Sequence, residues 1–394
     1  MKTTSKLIIV FLFASTFAVG QITPKKLLIY YSYPSSFNYP SNGFNLDNVA
    51  NDLKQYDYVV LGENLELTTH EDHDKTTTIL SKIAGSSTKV FGYIDLGVKT
   101  RNHSLSNIEQ RVNAWKAMGV TGIFFDDFGY DFFVSRQRQN AAVSYVHGQN
   151  LKVIANGWNP DDVFGNFIDT NYNPTGVGTQ LNANDFYLSE SYLIKVWEYE
   201  PNIIDWQNKA DKLRGYQQNL GFKIMSVTTN DTINRLNYDS ARFFFAWHGA
   251  TIDNHEAIGW GEFKFSCCYD INALSPYRVR PTTNLGTTFY GTIQKNGSEV
   301  YRYTNLGKIK INTNTHTYGF EAYATCTSIG SGNWYSAAMW SCGRIPFDYD
   351  NVIISSGHTI TLNQPTTITT CKSILIQKGA VFDCRTRFLA RIPN

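Results

Sequence analysis

Seven apolar, β-branched and aromatic runs recur along the first two thirds of the chain at almost constant intervals. They begin at Leu27 (LLIYYSY), Tyr56 (YDYVVLGEN), Lys89 (KVFGYIDLG), Gly122 (GIFFDDF), Leu151 (LKVIANG), Asp185 (DFYLSESY) and Phe222 (FKIMSVTT), with gaps of 29, 33, 33, 29, 34 and 37 residues. Each gap holds one strand, one helix and two loops, which is the signature of βα units around a parallel sheet. The segments between the runs read as helices. Ser104 to Glu109 offers capping residues before an apolar rhythm of Ile108, Val112, Trp115 and Met118 that stops at Gly119. Arg136 to His147 and Pro201 to Leu220 read similarly, with Gly148 and Gly221 as terminators. An eighth strand is expected near Ala250 (ATIDNH), after a helix through Ala241 to Trp247. Seven or eight such repeats in this length favour a (β/α)8 TIM barrel. The alternative is a doubly wound open sheet, but no GxGxxG follows the first strand.

The rest of the chain sets limits. Only 17% of residues are charged, the formal net charge is +2, and there are 24 Tyr and 25 Phe. This composition argues against disorder, and the absence of a Lys/Arg block argues against nucleic-acid binding. Lys2 and Lys6 precede the apolar Leu7 to Phe13, and Ala18-Val19-Gly20 supplies small residues for cleavage before Gln21. Residues 1–20 therefore read as a secretory signal peptide rather than a membrane anchor, since the apolar run is too short to span. No other segment reads as an integral membrane span. All six cysteines (Cys267, Cys268, Cys326, Cys342, Cys371, Cys384) lie in the last third. In an exported chain they read as disulfides of open connectivity; a zinc site would want CxxC or paired Cys/His spacing, which does not occur.

The onset of cysteines sets the domain expectation: a barrel over 21–266, a β-rich connection over 267–325 and a C-terminal β module over 326–394. After Cys268 the pattern changes to short alternating runs (Gly286 to Ile293, Glu299 to Tyr303, Lys308 to Ile311) separated by Asn296-Gly297 and Asn305-Leu306-Gly307. Trp334 and Trp340 read as core residues of the last module.

In a (β/α)8 barrel the site lies at the carboxyl ends of the strands. Those positions hold Tyr31 and Tyr33, Glu63 and Glu66, Asp95, then Asp126, Asp127 and Asp131, then Asn156 and Trp158, and finally Glu190 and Tyr192. Asp253, His255 and Glu256 are expected after strand eight. The acids have no comparable number of Lys or Arg at the same ends. Paired carboxylates are what glycoside hydrolysis needs, one to protonate the leaving oxygen and the other to act as nucleophile or base, while aromatic faces stack on sugar rings. Alternation along the strand sends Asp126 to the side of Phe124 and Asp127 to the side of Phe125. Glu190 follows Phe186 and Leu188 on one face. One of Asp126 and Asp127 is expected to enter the mouth, where Glu190 also points, and the other to cap the next helix or hold a loop. Tyr31, Glu63, Tyr93, Asp95, Asn156, Trp158 and Tyr192 are candidate substrate contacts. No cofactor or metal is expected: the histidines (His70, His73, His103, His147, His248, His255) lack ligand spacing and no EF-hand pattern occurs. A GxSxG elbow and a phosphate loop are also absent.

Four strand-end motifs carry a resemblance. KVFGYIDLG (Lys89 to Gly97), VTGIFFDDFGYD (Val120 to Asp131), VIANGWNP (Val153 to Pro160) and the acid of LSESY (Leu188 to Tyr192) resemble the spherulin-4-like glycoside hydrolases and the related family 114 endo-α-1,4-polygalactosaminidases. The resemblance implies a (β/α)8 barrel that cleaves a galactosamine-containing polysaccharide, with catalysis at the positions of Asp126 and Glu190 and with Asp127 as the substitute for Asp126. Gly332 to Leu362 (GNWYSAAMW…TITL) resembles a module of exported bacterial surface proteins, which implies attachment at the cell surface. A mouth lined by Glu63, Asp95, Asp126, Asp127 and Glu190 would attract a partly deacetylated, cationic polymer. Two other readings stay open: an idle barrel serving as a glycan-binding or adhesion protein, and a hydrolase of a neutral glycan.

Overall fold

The computed structural model describes residues 22–230, 238–267, 274–363, 369–384 and 388–390, the last three as backbone alone. The expected signal peptide lies outside the described residues, as does Cys268. Eight parallel strands close into a barrel: β1 (Lys25–Tyr30), β2 (Tyr58–Leu61), β3 (Lys89–Asp95), β4 (Gly122–Asp126), β5 (Lys152–Ala155), β6 (Phe186–Ser189), β7 (Lys223–Val227) and β8 (Ala257–Gly259), with β8 pairing back to β1. Helices follow seven of them: α1 (Leu46–Leu53), α2 (His73–Ile83), α3 (Leu105–Ala117), α4 (Arg136–Gly148), the short α5 (Pro160–Phe164), α6 (Ile203–Leu220) and α7 (Ser240–Ile252). None of the described helices is long and apolar enough to cross a membrane.

Strand alternation builds two separate cores. Leu27, Ile29, Tyr58, Val60, Phe91, Phe124, Ile154, Phe186, Leu188, Met225 and Val227 fill the barrel interior. Their neighbours Leu28, Val59, Val90, Ile123, Phe125 and Val153 face outward onto Val49, Ile79, Ile108, Val112 and Trp115 of the surrounding helices. Ser104 caps α3 by accepting the Asn107 amide at 3.1 Å, and Gly221, in the left-handed region at φ 78°, ends α6. Gly92 is a glycine for want of room. A Cβ there would lie inside the Trp115 indole, whose Nε1 donates to the Tyr93 carbonyl at 3.1 Å.

The eighth unit departs from expectation. Ala250 to Ile252 are the last turn of α7, closed by the Asp253 amide on the Gly249 carbonyl at 2.9 Å, and the chain reverses at Asn254 (φ 58°). Asp253, His255 and Glu256 therefore precede β8 and sit at the amino-terminal end of the barrel. There Glu256 binds Lys25, the first residue of β1, at 2.8 Å, and Lys223, the first of β7, at 3.4 Å. They have no place at the mouth.

Past the barrel, β9 (Phe289–Asn296), β10 (Glu299–Thr304), β11 (Gly307–Asn312) and β12 (Thr317–Ala322) form an antiparallel meander. Its Val300, Ile309 and Ile311 pack on Phe243, Ala246 and Trp247 of α7. The last segment pairs its strands in parallel at separations of one winding, Thr325–Thr327 with Asn351–Ile354 and Ser373–Ile376, and Gly332–Asn333 with Thr359–Leu362 and Val381–Cys384. Trp334 and Trp340 are buried inside it with ring centres 4.9 Å apart. A disulfide joins Cys326 to Cys342. The expectation of full pairing fails at Cys371, a buried thiol with no disulfide whose Sγ donates to the Ser373 carbonyl at 3.3 Å.

Candidate active site

The carboxyl ends of β1, β3, β4, β5 and β6 bring five side chains together. Asn156 is the hub. Its backbone is tied to the end of β4 from both sides, through its amide to the Phe125 carbonyl and its carbonyl to the Phe128 amide, each at 2.9 Å. Its side-chain Nδ2 then donates to Asp126 Oδ1 at 2.9 Å and to Glu190 Oε2 at 3.1 Å. A single nitrogen bonded to both holds those two oxygens within about 6 Å of each other. Asp126 receives two further donors, the Tyr93 hydroxyl on Oδ2 at 2.9 Å and the Asp127 amide on Oδ1 at 3.0 Å. Tyr31 lies edge-on to Tyr93 with centroids 5.4 Å apart.

Electrostatics follow from this crowding. Burial, then the neighbouring charges of Asp127 and Glu190, lift the Asp126 carboxyl from 3.8 to about 7, against the opposing pull of its donors. The Tyr31 hydroxyl is raised well above its ordinary value by burial and by Asp126, Glu190 and Asp127, so it stays a neutral donor. Tyr93 is raised by burial and by Asp126.

The remaining candidates sit elsewhere. Asp127 adopts φ 53°, which swings its carboxyl away from Asp126 and onto Asp95; burial and that contact raise it to about 6. Asp95 is buried and accepts the Gly97 amide and the Thr100 hydroxyl, both at 2.7 Å, so it holds the β3 loop. Glu63 reaches the rim and pairs with Arg101 at 2.7 Å. Glu66 is buried against Arg111, and Asp131 is exposed. Tyr192 is buried with its hydroxyl on Asp253 Oδ2 at 2.7 Å, turned out of the mouth by the left-handed Ser191 (φ 54°). Trp158 is 55% exposed, but the ammoniums of Lys209 and Lys195 stand 4.6 and 5.2 Å from its ring centre. Those lysines and Arg101 bring to the mouth cations that the strand ends themselves do not carry.

Phe265, which strand-end reasoning passes over, completes the aromatic wall. Lys264, Phe265 and Ser266 are all left-handed, an arrangement costing roughly 1–2 kcal/mol per residue. It sets the Phe265 carbonyl on the Tyr31 amide at 2.9 Å and the ring 5.4 Å from that of Tyr31. Open space flanks the five residues on two sides. A cavity of about 390 Å³ is lined by Tyr31, Tyr93, Glu63, Arg101 and His70, and another of about 510 Å³ by Glu190, Trp158, Lys195 and Lys209. A larger one, about 700 Å³, lies at the opposite end of the barrel around Lys25, Tyr58 and Lys89. Among the described residues no cluster of three or more His, Cys, Asp or Glu is placed to hold a metal ion.

No protein-family model matches the chain, and no curated protein matches it in sequence. Solved structures with a similar course include the glycoside hydrolase domain of PelA from Pseudomonas aeruginosa (14% identity, 60% of this chain and 95% of that one, TM-score 0.35). Eubacterium rectale Amy13B is another (9% identity, 75% and 87%, TM-score 0.45). A sugar phosphate isomerase/epimerase from Parabacteroides distasonis is a third (11% identity, 64% and 94%, TM-score 0.35). Overlaps this loose, with barrels of differing chemistry, carry nothing about reaction or substrate.

Proposed function

We propose that the chain is an endo-acting glycoside hydrolase in which Asp126 and Glu190 are the carboxylate pair. The observation that carries this reading is the Asn156 amide shared between the two acids. It brings one oxygen of each acid within about 6 Å of the other, which admits the ~5–5.5 Å spacing of a retaining pair. Asp126, fixed by three donors, is suited to attack the anomeric carbon. Glu190 borders the open cavity, where it can protonate the departing oxygen and later activate water. Burial and its neighbours' charges hold a proton on Asp126 up to about pH 7, so attack by its carboxylate strengthens as pH rises through that value. Tyr31 and Tyr93 would donate to sugar oxygens, and cavities on both sides give a chain room to run through the site rather than end in it.

The motif resemblance supports a galactosamine-containing polysaccharide as substrate. The electrostatic support is narrower than the count of acids implied, because Glu63 is matched by Arg101 and Asp95 with Asp127 turns aside. Attraction for an amino sugar would come from the Asp126–Glu190 pair itself. Export rests on the leader at residues 1–20, and a role at the cell surface on the C-terminal module. The test is release of reducing ends from α-1,4-galactosaminan, partly deacetylated and fully N-acetylated, by wild type and Asp126→Asn. Release from either polymer that Asp126→Asn abolishes supports the reading; no release by wild type, or equal release by both proteins, refutes it.

A further inference from the structure

The cavity of about 510 Å³ beside Glu190 carries more charge than the reaction uses: Lys195, Lys209 and Lys212 face Glu190, Glu200 and Asp205 across it. Most of these groups have local work. Glu200 accepts the Asn202 amide at 2.9 Å, Asp205 closes the first turn of α6 with Asn202, and Lys212 reaches Asp161. Lys195 and Lys209 differ. They come from different elements, a rim hairpin and the middle of α6, yet both converge on one indole, that of Trp158. Among the described residues neither has a carboxylate within ion-pair distance. Two ammoniums held against one ring repel each other, and a shared anion between them relieves that repulsion. Burial and Lys195 lower Lys209 to about 8, with Glu190 and Glu200 opposing, so it remains mostly charged at neutral pH.

We propose that this cavity is a subsite for a sugar unit bearing a carboxylate, seated between Lys195 and Lys209 next to the bond that Asp126 and Glu190 cut. The assignment rests on the hydrolase reading and deepens it: the polymer would present an acidic unit beside the one whose bond is broken. A free inorganic anion would leave most of the space empty, whereas a sugar ring fills it against Trp158 and Trp206 and brings its acid to the lysines.

Titration calorimetry of the whole protein with an α-1,4-linked galacturonic acid tetramer and with its methyl ester tests this. Wild type should bind the acid about tenfold more tightly than the ester, as two charge-assisted contacts require. Lys195→Met with Lys209→Met should bring the two ligands within about twofold, and Lys195→Arg with Lys209→Arg, which keeps both charges, should preserve the preference. Equal binding of acid and ester by wild type, or a preference that survives the double methionine variant, overturns the proposal. The hydrolase reading fails separately. If the acid preference is found but no tested glycan yields reducing ends, the subsite stands as a binding site and the catalytic account falls.

Discussion

Asp126→Asn removes a charge that the folded protein holds at a cost, and the size of that cost can be worked out. Burial and the nearby charges of Asp127 and Glu190 carry the group from 3.8 to about 7. At ~1.4 kcal/mol per pKa unit this sets an upper figure of roughly 4 kcal/mol, and screening at the partly open mouth brings it to roughly 2–3 kcal/mol. The sign follows from proton linkage. The folded state has the higher pKa and binds the extra proton, so the stability this group contributes is complete below about pH 4 and is lost as pH rises through about 7. Asparagine has no such dependence, and it can keep the Tyr93, Asn156 and Asp127 contacts. The variant should therefore melt about 4–12 °C above wild type at pH 8, taking ~2–4 °C per kcal/mol for a barrel of this size, and level with it at pH 4. Scanning calorimetry across that range, with turnover measured alongside, reads both effects. A gain of equal size at both pH values, or a wild type that melts higher at pH 8, would refute the reasoning.

Tyr93→Phe removes the hydroxyl on Asp126 Oδ2, a donor that favours the ionised form; kcat should fall about ten- to a hundredfold, and the pH-rate limb near 7 should move upward, not downward. Gly92→Ala forces a methyl into the Trp115 indole and should cost about 1–3 kcal/mol, read as a lower melting temperature of the barrel. Cys326→Ala with Cys342→Ala opens a link of sequence separation 16 and should destabilise the C-terminal segment by about 3 kcal/mol while the barrel's melting and turnover stay unchanged, as differential calorimetry can resolve.

Seven strands are legible because each is an apolar run long enough to show period-two packing, inward onto Phe91 and Phe124 and outward onto the helices. The eighth is hidden for a physical reason. Helix α7 lies between the barrel and the meander and is buried on nearly every side from Phe243 to Ile252, so it lacks an amphipathic rhythm, and its β-branched end, Thr251-Ile252, imitates a strand. The true β8 is three residues long. At the mouth, strand alternation alone brings Asp126, Asn156 and Glu190 within reach of one another. It cannot foresee that left-handed backbone at Asp127 and Ser191 redirects the next residues, sending Asp127 to Asp95 and Tyr192 to Asp253. Lys209 and Phe265 escape the rule altogether, since one lies in mid-helix and the other in a loop.

The central claim is that Asp126 and Glu190 act on one glycosidic bond from opposite sides, at a separation that forms a covalent intermediate. Proton NMR of the first sugar released from a defined α-1,4-galactosamine oligomer tests it most directly. The account predicts that the new reducing end appears first as the α anomer, that Glu190→Gln slows its release by at least about 10²-fold, and that Asp126→Asn abolishes it. First appearance of the β anomer, or release undiminished in either variant, would contradict it.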